Sequence, residues 1–354
     1  MTGITGRDKS GLHGSVWRRY LLSFGLLLAA FTAAVAFGAV KIHPATLVEI
    51  LLEPLLQTVI SPDWPESYSA IVLQIRLPHA VLIALTGAAL AGSGSAYQGL
   101  FRNPLADPYL IGVASGAGLG AIIALSLRWP VDLLGFSLVP LAAFLGALTT
   151  VILVYNLARI QGIVPITTLL LAGVAVGSFA GALTSFLMLR SDDQLYRAIA
   201  FLLGGSTLTG WRPVLASLPY LLLGMGLLSI SGHWLNVLQF GDEQALQAGL
   251  QVERTKRIVI VSASLCTAVA VAFSGIIGFI GLIVPHLLRM VWGLDYRHLV
   301  PLSLICGATA LLLADLLART LLAPAVIPVG IITALAGAPF FLWILRRAKR
   351  EVFW

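Results

Sequence analysis

Charge is scarce in this chain. Asp, Glu, Lys and Arg make up 10% of its 354 residues, whereas soluble domains carry roughly 25%. Cysteine is rarer still: Cys266 and Cys306 both lie inside apolar runs, which excludes a disulfide framework and thiol-rich metal spacing. The six histidines (His13, His43, His79, His233, His286 and His298) include no i, i+4 pair and no cluster, so no metal site is expected. The phosphate-cradling Gly-x-x-x-x-Gly-Lys-[Ser/Thr] is missing; Lys9-Ser10 has Asp8 where glycine is needed. Without that loop the chain is not expected to hydrolyse ATP or to hold a cofactor of its own. No carboxylate or histidine sits at the middle of an apolar run, which disfavours a proton-coupled carrier. No nucleophile–base or metal constellation supports an enzyme.

What is abundant is apolar and small. The chain is 58% hydrophobic with 35 glycines and a mean hydropathy of +0.96. That composition is polytopic and membrane-embedded, with glycine allowing helices to approach where lipid offers no hydrophobic drive. The net charge of +7 is read as topology and attraction to anionic lipid headgroups, not as nucleic-acid binding. Ten apolar segments are expected, at about Tyr20–Val40, Ala70–Phe101, Tyr109–Leu127, Gly135–Ala158, Ile166–Leu189, Pro213–Ile230, Ile258–Phe273, Gly281–Val291, Leu299–Leu322 and Val329–Leu345. The eighth is too short to cross a bilayer alone. The first resembles a signal peptide in having Arg18-Arg19 before it and Ala34-Val35-Ala36 near its end. About 20 residues, however, suit a retained span. A Pro- and acid-rich segment follows it (Pro44, Glu49, Glu53, Pro54, Pro62, Asp63, Pro65, Glu66), with room for a short helix. A polar interval from Ser191, with Asp192 and Asp193, leads to a marginal apolar stretch at Ala198–Gly205.

Placed on that topology, 15 of the 22 Lys and Arg residues fall on one side. The exceptions are Lys41, Arg76, Arg128, Arg190, Arg197, Arg212 and Arg319. The positive-inside rule then puts both termini in the cytoplasm, which an even number of spans permits. The expected organisation is a tail over 1–19, one transmembrane domain over 20–345 and a basic tail over 346–354.

Several motifs carry more than hydropathy. Asn103-Pro104-Leu105-Ala106-Asp107-Pro108 reads as a fixed corner between two spans. Proline stops one helix, Asn and Asp satisfy loose backbone groups, and Pro108 opens the next helix at its first position. Gly112, Gly116 and Gly120, and likewise Gly173, Gly177 and Gly181, recur every fourth residue. Each set makes a smooth strip, either for helix packing or for a path that changes width. The run from Gly275 to His286 has glycines three apart and suggests tight turns, with Pro285 as a second corner. In Leu235 to Leu250, Gly241-Asp242 reads as the opening of a short helix with Asp242 as cap and Glu243 at its positive end. Gly249 reads as its close.

These motifs, in this order over about Arg76 to Leu345, closely resemble the permease subunits of ATP-driven importers for iron-siderophores, haem and vitamin B12, the FecCD-like family. The resemblance implies an all-α fold of about ten transmembrane helices, like that of the vitamin B12 importer permease. It also implies alternating access in a bacterial inner membrane. The implied partners are a second copy of the chain, two ATPase subunits holding ATP and Mg, and a periplasmic substrate-binding protein. Residues 235–250, with Leu238, Gly241, Asp242, Glu243, Ala245 and Gly249, match the segment that couples to the ATPase. Arg76 and Arg319 match arginines that grip the binding protein, and His79 stands at an often basic place beside them. A local pair of Arg319 with Asp315 is the alternative. Thr167 and Thr168 match an inner gate, or are simple helix caps, and Gly112, Gly116, Gly173 and Gly177 would flank the path. A stand-alone secondary transporter or channel remains the other functional class. Which cargo is carried is not legible.

Overall fold

The computed structural model describes residues 9–38, 40, 42–53, 64–127, 132–133, 136–190, 195–205 and 208–352. Its helices are α1 (Lys9–Ala36), α2 (Pro44–Leu52), α3 (Glu66–Ala70), α4 (Leu77–Leu100), α5 (Val113–Ser126), α6 (Leu138–Ala158), α7 (Ile166–Leu189), α8 (Leu195–Leu202), α9 (Trp211–Ile230), α10 (Gly232–Leu238), α11 (Asp242–Gln247), α12 (Val252–Ser274), α13 (Ile280–Trp292), α14 (Tyr296–Thr320) and α15 (Val329–Val352). A two-residue antiparallel pair, Asp132–Leu133 with Phe136–Ser137, precedes α6. Pro54, Pro62, Asp63, Asp192, Asp193 and Arg128 lie outside the described residues, as do the first eight and last two.

Among the described residues seven helices are long and apolar enough to cross a membrane, and three shorter apolar ones (Val113–Ser126, Ile280–Trp292, Val329–Ile344) bring the set to the expected ten. The fold is all-α. The second span is long, as its hydropathy suggests, and begins a turn earlier than expected. A π-helical stretch, Ile71–Arg76, joins α3 to α4, giving a continuous helix over Glu66–Leu100 of 35 residues. At 1.5 Å per residue that is about 50 Å, well beyond the hydrocarbon core of about 30 Å.

Two expected boundaries are corrected. The third span does not run on from Tyr109, because Gly112 takes a left-handed φ of 82°. That angle separates a 3-10 turn, Pro108–Ile111, from α5. Pro285 is not a corner either: it lies inside α13. The bend before α13 is made instead by Gly275 (φ 78°) and Phe279 (φ 70°). A proline has no N–H for the carbonyl four residues back, and the Gly281 carbonyl so released faces the Gln98 side chain.

α4 is the axis of the bundle, buried almost continuously from Thr86 to Leu100. Its small residues let backbones meet. A Cβ at Gly87 would fall on the Gly307 carbonyl of α14, and one at Gly94 on the Gly281 carbonyl of α13. The Gly116 and Gly120 strip of α5 does the same against Gly146 and Ala142 of α6. α7 is the opposite case, with Leu171, Val174, Phe179, Phe186 and Leu189 all exposed.

Candidate functional site

Two polar clusters occupy opposite ends of the bundle, separated by the length of α4. At the end where α4 finishes, the Asn103 motif forms the expected corner. Asn103 Oδ1 accepts the Leu105 N–H at 2.9 Å, and Asp107 Oδ1 accepts the Tyr109 N–H at 2.8 Å. Pro108 opens the 3-10 turn. Burial pushes the Asp107 carboxyl up to about 6, against the opposing effect of that backbone bond. Tyr109 Oη donates to the Ile277 carbonyl at 2.8 Å, so the corner is fastened to the glycine turn before α13. Pro104 stands exposed beside Asn103.

The segment 235–250 sits at this same end. Leu235, Leu238 and Ala245 are buried and hold it to the bundle. Gln239 Nε2 donates to the Gly99 carbonyl at 2.8 Å. Asn236 is bound twice, donating to Asp295 Oδ1 at 2.7 Å and accepting the Tyr296 N–H at 2.9 Å. The Arg297 guanidinium beside Asp295 holds that carboxyl well below the usual carboxylate range, so the anchor is charged at neutral pH. Gly249 closes α11 as expected: its φ is 85°, its N–H goes to Leu246 O, and the Leu250 N–H reaches back to Ala245 O. This is the Schellman pattern. The opening differs from expectation. Gly241 (φ 110°) holds the cap position and Asp242 is already the first helical residue. Asp242 turns instead to Lys256 Nζ at 2.6 Å, with Arg102 3.9 Å away. Glu243 remains exposed, as do Phe240 and Leu246. The turn before α11 and α11 itself therefore present one acidic and two apolar side chains on a base that the bundle fixes.

The threonines at the start of α7 do not cap it; Pro165 holds that position without a side-chain bond. Thr167 is exposed and Thr168 half-buried. The four glycines assigned to a path each meet a neighbour within the protomer. Gly173 faces the Leu110 carbonyl, Gly112 and Gly116 face Thr150, and Gly177 faces Ser115, whereas a Cβ at Gly181 would meet nothing.

At the far end, Arg76, His79 and Arg319 do converge, but as an internal lock. Arg76 is 6% exposed. It donates to the carbonyls of Val35 and Ala36 at 3.1 and 2.9 Å and also to that of Val40. Arg319 donates to Asp315 Oδ2 at 2.8 Å and to the Ala34 carbonyl at 3.0 Å. His79 Nε2 meets Asp315 Oδ1 at 2.9 Å. Orphan carbonyls at a helix C-terminus carry partial negative charge, and the two guanidinium groups satisfy those of α1. The expectation that both arginines stand displayed for an outside partner is thus corrected for Arg76, because the carbonyls of α1 draw it inward. The local Asp315–Arg319 pair is present. An Arg76→Glu change would disturb α1 itself, so it cannot test docking alone.

Sequence reasoning passed over Lys256, Glu253, Phe240 and Arg102 as site residues. Lys256 and Glu253 are three apart on α12, a signal available in the sequence; their partners come from other elements and were not. No group of three or more His, Cys, Asp or Glu able to hold a metal occurs among the described residues.

The arrangement has relatives. The model of the FecCD transport family matches residues 26–347. A hemin transport system permease protein of Yersinia pestis is 40% identical over 348 residues, covering 96% of this chain and 99% of the relative. A cobalamin import system permease protein of Halobacterium salinarum is 48% identical over 289 residues, covering 81% and 76%. Among solved structures, a metal-chelate type ABC transporter in an inward-facing conformation superposes with a TM-score of 0.78. It is 29% identical and covers 94% of this chain and 99% of that one.

Proposed function

This chain belongs to the FecCD transport family, and on that premise we propose that it is the membrane-spanning permease of an ATP-driven importer for cobalamin, haem or another iron chelate. Two copies would pair around a central path, with an ATPase subunit beneath each and a soluble substrate-binding protein on the other face. The expected setting is a bacterial inner membrane with both termini in the cytoplasm. The observation that carries the reading is α11 with the turn before it: a short helix anchored to the bundle while Phe240, Glu243 and Leu246 stay exposed. Exposed apolar side chains rimmed by charge suit a protein contact more than a solvated loop. ATP and Mg would be held by the partner subunit. A carrier working alone would need an intramembrane ionisable group free to bind cargo or a coupling ion. Asp315, the buried carboxylate of α14, is already engaged by His79 and Arg319.

The test is reconstitution. The purified chain should release no phosphate from ATP, and phosphate release should appear when the ATPase subunit is added. Uptake of cobalamin, haemin and a ferric hydroxamate into the same vesicles, with the binding protein present, would identify the cargo. Vesicles that transport without any ATPase subunit would overturn the importer reading in favour of a stand-alone carrier.

Glu243→Lys is the cleaner probe of docking, since Asp242 has an internal partner and Glu243 is exposed. Charge reversal at an interface rim acts mainly on association. The variant should bind the ATPase subunit roughly tenfold more weakly, about 1.4 kcal/mol, with unchanged thermal stability. Parent-like affinity in a pull-down titration would make α11 a surface loop helix.

A further inference from the structure

Lys256 is 5% exposed, and its ammonium bridges two carboxylates. Nζ donates to Asp242 Oδ2 at 2.6 Å and to Glu253 Oε1 at 3.0 Å. The other oxygen of Glu253 accepts the backbone N–H of Val164 at 3.3 Å. Val164 is itself 2% exposed and stands two residues before α7 begins. A single chain of polar contacts therefore joins α11, the first turn of α12 and the entrance to α7. Bonds to charged groups are the stronger kind, and a buried backbone donor deprived of its acceptor is strongly disfavoured.

α7 is the element with most to gain from such a tether. Within the described protomer its buried residues are only Leu169, Gly173, Ala180 and Thr184. Few contacts inside the protomer hold it, and the Glu253 contact fastens its end to the cluster beneath α11. We propose that Lys256 and Glu253 are positioning residues of the transport cycle, transmitting displacement of α11 to the start of α7. This rests on the reading of α11 as the ATPase-docking segment. Neither residue is assigned contact with cargo or nucleotide. Asp242 thereby serves as the transmitting end of α11, and Glu243, with Phe240 in the turn before the helix, as the receiving face.

Coupling separates from stability in one ratio: cargo taken up per ATP hydrolysed by the complete importer in vesicles. Cobalamin, haemin and a ferric hydroxamate serve as cargo probes, and phosphate release is read from the same vesicles. Glu253→Ala and Lys256→Met should each lower that ratio by about tenfold, within the usual span of coupling between sites. Lys256→Arg, which keeps a cation able to reach both carboxylates, should restore it. If Lys256→Met does not accumulate, Glu253→Ala carries the test, because Glu253 is about a third exposed. An unchanged ratio in Glu253→Ala, or uptake and hydrolysis falling in proportion, would overturn the proposal and leave the cluster a fastening only. A parent chain that binds no ATPase subunit would overturn the docking reading and this one with it.

Discussion

Gly94→Val should abolish recovery of folded, monodisperse protein, while Gly226→Val should be recovered like the parent. A Cβ at Gly94 would fall on the Gly281 carbonyl, whereas one at Gly226 meets nothing within 4 Å. The obstacle at Gly94 is backbone on both sides, so no side chain can rotate away. α4 and α13 would have to separate along a crossing that also holds Pro108 and the Leu90 carbonyl against Gly281. Overpacking a fitted core costs typically 1–3 kcal/mol and occasionally more; a collision between two main chains belongs at about 3 kcal/mol or above. Both changes add the same β-branched side chain to a helix, so propensity cancels between them. Size-exclusion profiles and thermal melting in detergent give the comparison. Equal recovery and equal melting of the two variants would mean that α4 and α13 do not approach at Gly94.

Asp315→Ala should be destabilised by about 3–5 kcal/mol, the range for removing one partner of a buried ion pair. Asp315 is 4% exposed, with side-chain exposures of 16% for Arg319 and 30% for His79. Its loss leaves the Arg319 guanidinium without its counter-charge beside the Arg76 guanidinium. The end of α1, which both arginines hold, should loosen as well. Asp315→Asn, which retains an acceptor, should lose less. Melting temperatures of the two variants, with proteolysis of the chain after α1 as a local readout, distinguish this lock from a purely external docking role. If Asp315→Ala melts with the parent, the lock contributes nothing, and display of Arg319 to an outside partner becomes the better account.

The sequence carries the span count because hydropathy is local: each window reports its own solvent, whatever it packs against. Asn103-Pro104 and Asp107-Pro108 could be read as a corner for the same reason, since proline sterics and Asx bonds act within four residues. Gly249 as a helix close is another case. Local rules failed where a local signal has two outcomes. Proline can break a helix or sit within one, and Pro285 sits inside α13 because the bend before it had already been made by Gly275 and Phe279. Asp242 can cap a helix or bind a cation, and the nearness of Lys256 decided for the second.

Composition, order of spans, the corner after α4 and the match to a permease family were thus determined by the sequence by itself, through short-range steric and solvation rules. Only the tertiary structure decided what the charged residues do. Arg76 and Arg319 look displayed when read along the chain, yet the carbonyls that end α1 lie more than 30 residues from the first and more than 280 from the second. Val164 and Glu253 are 89 residues apart. Electrostatic partners in a low-dielectric bundle are set by which helix ends meet, and that is a property of packing that no window of sequence contains.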